Sequence, residues 1–163
     1  MRLHDVERLY AEHARGLLRF LAYRAGDERL AEDLVSEVFE RAIRVPRLRA
    51  RDSAAEKAWL YKTALNLLRD RFRRQDAEGR ALDRATPPTG AGASSGFEER
   101  IEDRELLLGA LAGLSDEERE ALALRFGAEL SVPEVARITG QSLSTAEGRV
   151  YRGLRKLRDL LDE

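Results

Sequence analysis

"SVPEVARITGQSLSTAEGRVYRGLRKLRDLL", Ser131 to Leu161, holds two helical periods broken at a glycine, and its reading decides the fold. Ser131 and Glu134 stand three apart ahead of an apolar run, the spacing of a capping box. Val132, Val135, Ala136 and Ile138 then recur at helical intervals, with Ala136 small enough for two helices to cross closely. Gly140 falls where a tight turn needs a positive φ. Leu143, Ala146, Val150, Leu154 and Leu157 form one face of the following helix, and Thr145, Gly148, Arg149, Arg152 and Arg155 the opposite one. Such a pair reads as a helix-turn-helix whose second helix enters a DNA groove. A helical hairpin with merely solvated arginines has the same spacing and stays open at this stage.

One residue in that helix jars. Ser144-Thr-Ala-Glu147 puts a carboxylate where a DNA reader usually keeps a donor. As the N3 member of a second capping box, Glu147 would fold back to the Ser144 amide, which is the preferred reading. In the groove it would instead accept from a cytosine amino group.

Toward the N-terminus helical spacing continues, and strand alternation is almost absent. The fold class expected is all-α: two small helical domains joined by a flexible linker. Leu3, Val6, Leu9, Leu17 and Leu21 mark a first helix stopped by Gly26. Leu30, Leu34, Val38 and Phe39 mark a second that ends before Pro46. A third is expected to start at a capping box, Ser53 with Glu56, and to run through Leu60, Ala64, Leu67, Leu68 and Phe72. Ser115 and Glu118 form a further box. "QDAEGRALDRATPPTGAGASSG", Gln75–Gly96, has a Pro pair and little apolar content near its end, and reads as a tether. The expected domains are therefore 1–76 and 97–163, with 77–96 between them.

Net charge is −1, but its distribution matters more than its sum. Arg44 to Arg74 holds ten Lys/Arg against three acids, and Arg149 to Arg158 holds five cations and no acid. Phe97 to Leu130 between them carries ten acids and four arginines. In "WLYKTALNLLRDRFRR", Trp59–Arg74, the side chains Lys62, Asn66, Arg69 and Arg73 fall on one stripe suited to a phosphate backbone, with Asn66 able to meet a base edge. Trp59 suits the core better than a stacked base. The helix "AEDLVSEVFERA" presents Glu32, Asp33, Glu37 and Glu40 beside Leu34 and Phe39; an acidic face repels phosphate, so a basic protein is its natural partner. The chain has no cysteine, which excludes disulfides and thiolate chemistry. Its two histidines, His4 and His13, match no metal motif, and no nucleophile–base pairing is evident. No metal, cofactor or enzymatic activity is expected. With no membrane span and a charged start, a cytoplasmic location is expected.

Three stretches in order, "GDERLAEDLVSEVFERAIR", "WLYKTALNLLRDRFRR" and "LSDEEREALALRF" with the opening segment, resemble the sigma-70 family of bacterial transcription initiation factors. Order and length are similar to the extracytoplasmic-function (ECF) group, which keeps only region 2 and region 4. The resemblance implies that Glu32, Asp33, Leu34, Glu37 and Phe39 dock on the β′ clamp helices of core RNA polymerase, with region 4 meeting the β flap. It implies that Trp59, Lys62, Asn66, Arg69 and Arg73 melt and read the −10 element. Ser144, Thr145, Glu147, Gly148, Arg149, Arg152 and Arg155 would meet the −35 element. Promoter DNA, core polymerase and an anti-sigma factor are the implied partners. Ser36 departs from the family's frequent Gln, and Glu147 from a frequent Lys or Arg. The competing expectation is a stand-alone helix-turn-helix regulator, which would bind duplex DNA without polymerase.

Overall fold

The computed structural model describes residues 3–45, 48, 52–78 and 112–162. The tether expected beyond Glu78 and the helical spacing from Phe97 to Leu111 lie outside these residues. What is described is all-helical, with no strand among the described residues.

Among the described residues the N-terminal half holds three α-helices. α1 spans Leu3–Ala25 and ends at Gly26, whose φ of 69° turns the chain and whose N–H donates to Ala22 O at 2.9 Å. α2 spans Glu28–Ile43, started by the Asp27 side chain, which accepts from the Arg29 and Leu30 N–H groups. α3 spans Ser53–Ala77. Its start corrects one expectation: Asp52, not Ser53, is the cap, accepting from the Ala55 N–H at 2.7 Å. Aspartate caps as well as serine and comes one residue earlier. Glu56 then sits one place too deep to reach back, and instead accepts from Arg8 of α1 at 3.1 Å.

Among the described residues the C-terminal half has three α-helices from Asp116 onward. α4, Asp116–Leu122, opens with the full Ser115/Glu118 capping box and runs into a π-helical turn, Ala123–Gly127. α5, Val132–Thr139, opens with the Ser131/Glu134 box, both bonds formed as the sequence implies. Gly140 closes it at φ 69°. α6, Leu143–Leu161, is capped by Ser142, which accepts from the Thr145 N–H at 3.2 Å. The box expected at Ser144 and Glu147 therefore does not form. Ser142 lies two residues beyond Gly140, so capping there gives the shortest turn and leaves Ser144 already inside the helix.

Periodic apolar faces explain the packing. Leu9, Leu17, Phe20 and Leu21 of α1 meet Ala31, Leu34, Val38 and Phe39 of α2 and Leu60, Tyr61, Ala64 and Leu68 of α3. In the other half, Val135, Ala136 and Ile138 of α5 and Ala146 and Val150 of α6 close over Leu122 and Leu124. Gly153 lets α6 approach α4, since a Cβ there would sit 2.9 Å from Leu122 Cδ1. The two halves share one continuous core, joined where Phe20 and Tyr61, 6.3 Å apart by ring centroids, approach the π-turn and Leu130. At that seam Gly127 admits the Tyr23 ring, which a Cβ would meet at 2.8 Å. Arg19 Nε donates to Gly127 O at 2.8 Å.

Candidate nucleic-acid interface

α5 and α6 pack as the opening stretch requires. Val135, Ala136 and Ile138 are buried, and Ala146 and Val150 receive them. The outward side of α6 carries Ser144, Thr145, Glu147, Arg152 and Arg155, all exposed, with Gly148 and Arg149 half-buried. Leu143, expected on the core face, is exposed, because it occupies the first helical position beside the turn. Gly148 makes room for its neighbour: a Cβ there would lie 2.8 Å from the Arg152 guanidinium. Glu147, released from capping, has no side-chain partner among the described residues and stands with the arginines on the solvent side.

Sequence reasoning passes over Tyr151. It is 65% exposed, among the DNA-facing candidates. Its spacing is the available signal, since i+7 from Ser144 falls on the same face. Lys156 goes equally unremarked; its Nζ donates to Glu118 Oε1 at 2.7 Å, tying α6 to α4. That hydrogen bond, followed by the Ser115 N–H, holds the Glu118 carboxyl below its ordinary range.

On α3, Lys62, Asn66, Arg69 and Arg73 are all exposed, on the single stripe that their spacing implies. Trp59 is partly buried against the core, consistent with the packing role preferred for it. Two of the cations have internal partners. Arg73 lies 3.6 Å from Asp70 of its own helix. Arg69 reaches across the seam, Nη2 donating to Glu120 Oε1 of α4 at 2.7 Å. On the flank of α3, Lys57 pairs with Glu134 of α5 at 2.9 Å. Both cross-seam pairings escape the sequence reading, which sees Glu134 only as a capping residue and has no means of pairing residues so far apart in the chain.

α2 turns out partly as expected. Glu32, Asp33, Ser36 and Glu40 are exposed. Glu37 is half-buried, with Arg41 donating to it at 3.2 Å. Leu34 and Phe39 are core residues and cannot form part of an outer docking surface; Phe39 packs against Tyr10, ring centroids 5.0 Å apart. They fix the helix while the acids face out. Among the described residues no cluster of His, Asp or Glu could hold a metal ion, and no helix is long and apolar enough to cross a membrane.

Comparison with known proteins follows the same division of the chain. A family model described as Sigma-70 region 2 matches residues 9–78, and one described as Sigma-70, region 4 matches residues 104–157. ECF RNA polymerase sigma factor BldN of Streptomyces coelicolor is 33% identical over 96% of this chain, which spans 60% of that relative's length. RNA polymerase sigma factor CarQ of Myxococcus xanthus is 36% identical, covering 96% of this chain and 89% of its own. Among solved structures, CnrH in complex with the cytosolic domain of CnrY aligns over 99% of this chain and 90% of its own, at 26% identity and a TM-score of 0.67.

Proposed function

The chain belongs to the sigma-70 family, carrying its region 2 and region 4, and on that basis we propose how its helices divide the work of promoter recognition. It is an ECF-type sigma factor: it binds core RNA polymerase and directs initiation at a subset of promoters. The observation that carries this reading is the coexistence of two outward basic helices, α3 and α6, with an outward acidic helix, α2, in one small chain. A stand-alone repressor needs only the α5–α6 pair.

The two basic helices meet DNA in different states. The major groove is wide enough for α6, whose Thr145, Arg149, Arg152 and Arg155 would meet phosphates and base edges at the −35 element. α3 offers a cationic stripe with Asn66, fitted to a single strand already unpaired at the −10 element. Capturing unstacked bases offsets the cost of opening the duplex, so the work is binding and no covalent step is needed. Polymerase is reached through Glu32 and Asp33, which face the basic partner that an acidic surface selects. A near-neutral total charge keeps non-specific duplex affinity low, which favours recognition only in the assembled enzyme. The site of action is the cytoplasm, where polymerase is. An anti-sigma factor is the protein partner proposed to withhold the chain until a signal arrives; the related CnrH is seen bound to the cytosolic domain of CnrY.

Gel filtration with core polymerase tests the docking face. Wild type should co-elute, and Asp33→Arg should weaken association by at least about tenfold with unchanged helical content, because a like charge would meet the partner. Undiminished co-elution of that variant would remove α2 from the interface.

A further inference from the structure

α6 carries a glycine that helix formation disfavours. After proline, glycine is the least favourable residue inside a helix, and Gly148 is the sixth residue of Leu143–Leu161. Elsewhere a packed neighbour accounts for such a residue. Gly16 lies beneath the Tyr61 hydroxyl, Gly127 beneath the Tyr23 ring and Gly153 beneath Leu122, each neighbour coming from another element. At Gly148 the three atoms nearest to an added Cβ all belong to Arg152 of the same helix: Nη1 at 2.8 Å, Cζ at 3.4 Å and Nη2 at 3.5 Å. Core packing does not explain this glycine; the Arg152 guanidinium does.

The gap decides where that cation sits. Helical side chains lean toward the N-terminus of their helix, and Gly148 lies about 6 Å, or one turn, back from the Arg152 Cα. The guanidinium fork therefore rests on the backbone in the N-terminal part of α6, the part of a recognition helix that meets base edges. A Cβ at 148 would lift it away. Arg152 is exposed and, unlike Arg69 and Arg73, meets no carboxylate among the described residues. Its donors are open to a ligand. A planar guanidinium held in one orientation matches the two acceptors, O6 and N7, on the major-groove edge of guanine.

Resting on the reading of α6 as the −35 helix, we propose that Gly148 is a positioning residue that sets base preference: the gap it leaves seats Arg152 against the helix, so that the fork reads one guanine of the −35 element. Without a side chain at 148 the backbone comes close to the groove floor. Arg152 then supplies the base contact at that level of the helix.

Selection of bound molecules from a randomised duplex DNA library tests the proposal, with the full chain alone in one arm and the chain on core polymerase in the other. Wild type should enrich guanine at one position about five- to hundredfold over the other bases. Gly148→Ala should lose that preference while its melting temperature rises by about 2–4 °C, because alanine favours the helix. A glycine needed only for folding would give a lower melting temperature instead. In the Arg152→Ala background, Gly148→Ala should cause no further change in base preference, since the residue that it positions is gone. Undiminished guanine enrichment by Gly148→Ala overturns the proposal, as does an affinity lowered equally for every sequence. So does a wild type that enriches no guanine in either arm. Should Gly148→Ala fail to fold, Arg152→Lys provides the second measurement: it keeps the charge without the fork, and a retained guanine preference there overturns the proposal. The promoter reading fails separately. Enrichment by the chain alone that core polymerase does not sharpen would sink the sigma-factor role and leave the Gly148 assignment standing.

Discussion

Glu147 shows how far a single residue can be read from sequence. The spacing Ser144-x-x-Glu147 fits a capping box, yet Ser142 takes the cap and accepts from the Thr145 N–H. Two serines two residues apart compete for one role, and the turn after Gly140 decides between them. Sequence pattern alone does not encode that choice. With capping excluded, groove contact is the role proposed for the carboxylate. Glu147→Gln should therefore change base preference at the −35 element by about 1–3 kcal/mol at one position, while thermal stability moves by less than about 0.5 kcal/mol. Binding to a set of single-base promoter variants and a melting curve check this. A clear fall in melting temperature with preference unchanged would contradict it. Gly26 and Gly140, by contrast, are legible at once, because only the turn geometry matters and both take φ of 69°.

At the scale of elements, helix existence and faces are legible in the sequence, and helix starts are legible where one capping candidate stands alone, as at Ser115 and Ser131. α1, α2, α5 and α6 follow apolar periods that leave little choice of face. α3 takes its cap one residue earlier than the Ser53 box would place it, since Asp52 offers an equal cap. Leu34 and Phe39 lie in the core although they border an acidic face, because α2 must turn its apolar stripe onto α1 and α3. Contact between helices is not legible. The Glu118–Lys156 bond joins α4 to α6, and neither residue advertises the other. It has a consequence for pH. Glu118 is held below the ordinary carboxylate value by the Lys156 hydrogen bond first and the Ser115 N–H second. A carboxylate depressed in the folded state contributes stability above its unfolded value of about 4.3 and loses it as pH falls through the lower folded value. Lys156→Met should lower the melting temperature at pH 7 and flatten its decline below about pH 4.3. Parallel melting curves of variant and wild type across the acid range would assign that decline to other carboxylates.

For the whole molecule, three ordered motifs are enough to mark out two basic helices, an acidic one and the sigma-70 family to which the chain belongs. Their arrangement as one closed body is not legible in the same way, because Arg19–Gly127, Lys57–Glu134 and Arg69–Glu120 join residues at least fifty apart in sequence. Each pair is unremarkable alone, and only packing of Phe20, Tyr61, Leu124 and Leu130 into a shared core brings them together. Run-off transcription from fragments of its own genome, with core polymerase supplied or withheld, tests the role as an initiation factor most directly. Discrete transcripts that need both core enzyme and this chain, and that disappear when Arg152 and Arg155 are replaced by Ala, are the predicted result. No chain-dependent transcript from any fragment, with tight duplex binding by the chain alone, would contradict it.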